Sequence, residues 1–138
     1  MIRMIYSNYN EETGVSCVTL RTPLGEFTGY AKVHLEDVAF ASPITGCRFA
    51  EIKALIKYRK AKVNVITNEI KGLTDFKNVL TGLTIIDDND TSLKYLRRQI
   101  DIKREERQCL LKSIEQMRSS MRESIAVADK LHKKDKNN

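Results

Sequence analysis

The feature that most constrains this chain is the spacing of apolar residues in its last third. From Leu93 they fall at positions 93, 96, 100, 110, 114, 117, 121, 128 and 131. Most intervals are three, four or seven residues, the repeat that lays one side of an α-helix against a partner. Lys103 and Arg107 take core-type places in the middle and break the register. A continuous helix of roughly 40 residues would be about 60 Å long. A globule of this chain length is only about 30 Å across. Such a helix has to bury its stripe on an upstream helix and, beyond that, on a second copy of the chain.

Charge singles out the same segment. Residues 1–90 carry 11 Lys+Arg and 11 Asp+Glu, whereas residues 91–138 carry 13 and 7, so the whole net charge of +6 sits in the last third. That is where an anionic partner is attracted. The 138 residues, 41% hydrophobic and 30% charged, suit one small domain with a helical extension and exclude a disordered tail. With no run of about 18 apolar residues and no leader-like start at MIRMIYSNYNEETG, the expectation is a soluble, cytosolic protein. Cys17, Cys47 and Cys109 are odd in number and widely separated, which argues against a disulfide framework or a zinc site.

The expected fold class is α+β, with a small N-terminal antiparallel sheet packed on two long helices. Residues 1–40 read as strands: Ile2 to Tyr9, then Val15–Thr22 after a turn at Glu12-Thr13-Gly14, then Glu26–Val33 after Pro23-Leu24-Gly25. Ser42-Pro43 announces a helix over 42–72, with Ser42 or Thr45 as cap and Gly72 as terminator. Phe49, Ile52, Ile56 and Val63 would cover the sheet, with Lys53, Lys57, Arg59 and Lys60 facing elsewhere. A connection over 73–90 holds a short helix, Leu73 to Leu80. Asp90 or Thr91 then caps the long helix over 91–132, and 133–138 form a frayed tail.

No catalytic constellation is present: there is no nucleophile elbow, glycine-rich nucleotide loop, P-loop or HExxH. The chain is therefore read as a binding protein, with no cofactor and no metal. His34 has no Ser or Cys placed to partner it. Cys47 at a helix start could be an activated thiol, but a small buried residue facing the sheet is the favoured role. Arg48, in the same turn, opposes the helix dipole, and it divides evenly between a phosphate fork and a local pair with Glu51.

The stretch Met117-Arg118-Ser119-Ser120-Met121-Arg122 is the most suggestive. Arg118 and Arg122 lie four residues apart and point the same way, beside small serines, an arrangement that suits a phosphate or pyrophosphate. The bland alternative is a solvated basic face paired locally with Glu115 and Glu123. Arg97, Arg98, Lys103, Arg104 and Arg107 alternate with Asp101, Glu105 and Glu106, which resembles a salt-bridged helix more than a nucleic-acid stripe. Tyr95 is the sole aromatic there, so no stacking platform for single strands is evident.

The string Thr22-Pro23-Leu24-Gly25-Glu26-Phe27-Thr28-Gly29-Tyr30-Ala31, with Gly46-Cys47-Arg48-Phe49-Ala50-Glu51 and a Lys-rich helix after it, resembles a phage protein family. Members of that family counter the bacterial Thoeris defence by sequestering its cyclic ADP-ribose-type signal. The resemblance covers roughly residues 5–72 by motif and the last helix by architecture. It implies a non-catalytic homodimer, with hexamers in some members, whose ligand pocket lies at the chain–chain interface. Larger assemblies can also carry sites for cyclic oligonucleotides. Arg118 and Arg122 match an arginine pair that holds the phosphates, Phe76 is the candidate for stacking on adenine, and Asn89 for a polar amide near the start of the last helix. The implied location is the cytoplasm of the infected bacterial host cell. Two other functions compete: a phage nucleic-acid-binding protein using the basic last helix, and a coiled-coil adaptor that inhibits a host protein through the stripe containing Met117 and Met121.

Overall fold

The computed structural model describes residues 1–32, 43–83 and 90–136. The fold is α+β. Three strands, β1 (Arg3–Asn10), β2 (Val15–Thr22) and β3 (Gly25–Lys32), precede two helices, α1 (Pro43–Gly82) and α2 (Thr91–Lys136). The chain divides into two compact units. The first contains Met1–Lys60 and Ile114–Asn138, the second Ala61–Ser113, so each helix contributes to both.

In the first unit the sheet has the order β1-β2-β3, antiparallel throughout. Each reversal has a glycine with positive φ, Gly14 at 71° and Gly25 at 118°, a conformation that costs glycine little. The first turn is closed by the Gly14 N–H donating to the Asn10 carbonyl at 2.8 Å. In the second, the Thr22 hydroxyl donates to the Gly25 carbonyl at 2.7 Å and accepts from the Leu24 N–H at 3.2 Å. Strand β2 alternates strictly. Ser16, Val18, Leu20 and Thr22 are buried, while Val15, Cys17 and Thr19 are only half-buried, the period expected of a sheet covered on one face.

What covers that face is the first part of α1, and it comes very close. A Cβ on Gly29 would stand 2.0 Å from the Ala50 carbonyl oxygen and 2.6 Å from the Ala54 nitrogen. Helix backbone therefore lies directly on strand backbone. Ala50 and Ala54 are fully buried there, packed with Val18, Leu20 and Ala31, and flanked by Cys47, Phe49 and Leu55. The sheet-facing row is thus built on two alanines. Ile52 and Val63, expected to cover the sheet, are only half-buried, because a large side chain on the contact row would hold the helix off Gly29. Further along, the rings of Phe27 and Tyr58 meet at a centroid distance of 5.9 Å.

The second unit is a helix pair. Ile66 and Ile70 of α1 pack with Ile100 of α2, with Leu73 and Leu110 half-buried against them, and Leu93 and Leu96 are buried. The apolar stripe at 93, 96 and 100 therefore faces inward as its spacing implies. The polar interruption is also explained. Lys103 Nζ meets Glu69 Oε2 at 2.8 Å and Arg107 reaches the Thr67 hydroxyl at 3.5 Å, so both cations occupy the α1-facing stripe with partners on α1.

Two helix limits, the C-terminal ends of α1 and α2, differ from the sequence reading, while the start of α2 is where it was expected. Helix α1 does not stop at Gly72 but runs on to Gly82, absorbing the short helix expected over Leu73–Leu80. Gly72 has open space around it and an ordinary helical φ. One such glycine costs only about 1 kcal/mol, which the inward-facing Ile70 and Leu73 on either side offset. Helix α2 begins at Thr91 with Asp90 as its cap. The Asp90 carboxylate accepts from the Ser92 N–H at 2.8 Å and its carbonyl from the Lys94 N–H at 3.1 Å. At the other end α2 continues through Lys136, into the segment expected to fray. Ser42 and His34 lie outside the described residues.

Candidate anion-binding site

The arginine pair sits on the part of α2 that belongs to the first unit. Ile114 is buried and Met117 and Met121 are half-buried, at intervals of three and four. Glu115, Arg118 and Arg122 form the next row round the helix, and all three are exposed. The arginines therefore stand on the rim of the apolar stripe, on one face, as their spacing requires.

Their electrostatics are unequal. Arg122 Nη2 donates to Glu115 Oε1 at 2.6 Å and lies 3.4 Å from the Ser119 hydroxyl. Both members of that ion pair are about two-thirds exposed, so it contributes little stability and exchanges readily with solvent ions. Arg118 has no polar partner among the described residues. The row thus presents one uncommitted guanidinium, one held by an exchangeable carboxylate, and the half-buried Ser119 between them. An incoming phosphate would meet Arg118 directly and compete with Glu115 for Arg122. Charge-assisted contacts of this kind contribute about 1.5–3 kcal/mol each.

The other expected site residues are distributed more widely. Arg48 is exposed near the start of α1, and among the described residues it makes no ion pair, with Glu51 or any other carboxylate. Phe76 lies on α1 in the second unit and is 54% exposed. It sits on a continuous helix, not in a connection. Asn89 lies outside the described residues. Arg118, Arg122 and Arg48 therefore share a unit, and Phe76 belongs to the other.

Cys47 takes the bland role. It packs against the sheet cluster and accepts a hydrogen bond from the Ser7 hydroxyl at 3.5 Å. All three cysteines are free, and no group of three potential metal ligands exists among the described residues. No described helix is long and apolar enough to cross a membrane.

One cation has a role that sequence reasoning assigned wrongly. Lys57, expected to face away from the sheet, donates to the Thr28 carbonyl at 2.6 Å and stands 6.0 Å from the centre of the Tyr30 ring. Its signal was available: Lys57 follows Ala54 by three residues, and Ala54 lies on the sheet. Recognising that required knowing that the alanine row makes the contact.

No family model matches the chain, and no significant match exists among curated proteins or solved structures.

Proposed function

We propose that this chain is a non-catalytic binding protein that captures cyclic ADP-ribose-type nucleotide signals, acting as a phage anti-defence protein in the cytoplasm of the infected bacterium. The observation that carries it is the exposed Arg118–Arg122 row, with one guanidinium unpaired among the described residues and the other in an exchangeable surface pair. Such a ligand offers a pyrophosphate to the arginine forks and an adenine to an exposed aromatic, for which Phe76 is the candidate. Arg48 and Asn89 are further candidate contacts.

Capture needs only tight, reversible binding. A nanomolar dissociation constant corresponds to about −12 kcal/mol. Two forks at about 1.5–3 kcal/mol each fall short of that, so the remaining contacts come from a second chain, and the working form is a homodimer or a larger homo-oligomer such as a hexamer. Cyclic oligonucleotide signals are additional candidate ligands.

Nucleic acid fits less well. Several cations of α2 are met by carboxylates, with Lys103 on Glu69 and Glu106, Arg104 on Asp101 and Arg122 on Glu115, which weakens a continuous phosphate-tracking stripe.

The test is direct. Purified chain is incubated with the products of an activated Toll/interleukin-receptor-type enzyme, washed and heated, and the released small molecules are identified by mass spectrometry. Release of an intact cyclic ADP-ribose-type nucleotide is expected. Folded chain that retains no such nucleotide contradicts the proposal.

A further inference from the structure

Strand β1 is the anomaly of the first unit. Along Arg3–Asn10 only Tyr9 is even half-buried. Met4, Ile5 and Tyr6 are 44%, 38% and 52% exposed, next to exposed Met1 and Ile2. An edge strand with free N–H and C=O groups and apolar side chains is a template for another strand, and proteins normally block it with a lysine, a proline or a cover.

The opposite edge is blocked in this way. Strand β3 is the other rim of the sheet, and Lys57 occupies the Thr28 carbonyl there and sets a cation beside Tyr30. Strand β1 contains no lysine and no proline.

We infer that β1 pairs antiparallel with β1 of a second copy of this chain, joining the two three-stranded sheets edge to edge. One open and one blocked edge lead to a closed two-fold pair, not to an unlimited ladder of sheets. The residues of β1 are also complementary to themselves. Place the two-fold axis at Ser7, so that Ser7 of each copy lies opposite the other. Tyr6 then lies opposite Asn8, and both belong to the face turned away from α1, since their partners on β2 are Thr19 and Cys17.

On the α1 side, Tyr9 pairs with buried Ser16 and Met4 with buried Leu20. In the Ser7-centred register Tyr9 falls opposite the second copy's Met4–Ile5 step. The β1–β2 pairing shifts register there, between Met4 and Tyr6, and a shift of this kind places two residues opposite one. In the pairing of the two copies each Tyr9 ring therefore lies beside the apolar Met4–Ile5 step of the other. Arg3, the single charge of the strand, meets the Asn10 end of the second copy and never its own equivalent, so no like-charge repulsion opposes the pairing.

This inference concerns assembly without ligand and does not depend on the nucleotide proposal. It is tested on the full chain by sedimentation velocity in nucleotide-free buffer. Met4→Lys and Ile5→Lys change exposed positions, so far-UV circular dichroism should be unchanged while the number of chains per assembly halves. The register is read by disulfide trapping. In a Cys17→Ser, Cys47→Ala, Cys109→Ser background, an equimolar mixture of Tyr6→Cys and Asn8→Cys chains should cross-link on oxidation, and either chain alone much less. A monomeric wild type, or an assembly that neither lysine alters, overturns the pairing. Cross-linking of Tyr6→Cys to itself as readily as to Asn8→Cys overturns the register.

Discussion

The two compact units bury their cores by opposite means. In the first, a helix lies on a sheet so closely that backbone meets backbone at Gly29, and the contact row is Ala50 and Ala54. In the second, two helices are held apart by Ile66, Ile70 and Ile100, with Lys103 and Glu69 at the seam. The first unit depends on the absence of side-chain volume, the second on its presence. Volume added to one and volume removed from the other should therefore be equally damaging, whereas the charged seam should matter little.

The largest effect is expected from Gly29→Ala. The new methyl has no space, and neither helix nor strand backbone can yield cheaply, so a loss of about 3 kcal/mol or more is predicted from denaturant midpoints. A shift under about 0.5 kcal/mol would show that the close approach is not fixed. In the second unit Ile100→Ala should cost about 3 kcal/mol through the cavity it leaves. The complementary change, Ala54→Leu in the first unit, should damage as Gly29→Ala does, although leucine is a good helix former. Smaller and opposite in sign, Gly72→Ala should stabilise by about 0.5–1 kcal/mol, because the site is helical and open.

The seam gives the smallest effect, present at neutrality and lost in alkali. The hydrogen bond to Glu69 and the Glu69 charge raise the Lys103 pKa above its ordinary 10.5. A lysine raised in this way contributes fully while the pH is below the unfolded value and loses its contribution as the pH climbs through the folded one. The contribution of this pair to thermal stability should therefore be constant from neutrality to about pH 10 and be lost above it. Lys103→Met should lower the neutral value slightly, by what the pair contributes there, and the two proteins should converge as the pH climbs above about 10.

The comparison also separates what the sequence made legible from what it did not. Strand positions, both turns, Pro43 at the start of α1 and the inward stripe at 93, 96 and 100 follow from local chemistry: β-branched alternation, glycines at reversals and helical spacing. The alanine row was not legible, because a large residue ordinarily marks a buried face and an alanine is neutral evidence. Its significance appears only when Gly29, on a different element, is placed beneath it. The end of α1 was misjudged for a related reason. Gly72 carries a local stop signal, and a stripe continuing on both sides of it outweighs that signal only once the partner helix is known. The interruption at Lys103 and Arg107 looked like a flaw in the register until Glu69 and Thr67 supplied the other half.

At the candidate site, spacing alone placed Arg118 and Arg122 on one face, and they are on one face. Spacing did not disclose that Glu115, two turns before Arg122, holds it and leaves Arg118 without a polar partner among the described residues. That asymmetry makes two variants informative. Arg118→Ala removes the uncommitted fork, and Glu115→Gln releases the committed one. Neither lies in a packed core, so neither should change folding.

The central claim, that this row holds the phosphates of a cyclic ADP-ribose-type nucleotide, is tested most directly by calorimetric titration of that nucleotide into wild-type chain and these two variants. The account predicts tight binding to wild type, a roughly tenfold to hundredfold weaker constant for Arg118→Ala, the loss of about 1.5–3 kcal/mol, and equal or tighter binding for Glu115→Gln. Folded wild type that gives no binding heat, or an Arg118→Ala chain that binds as wild type does, would contradict it.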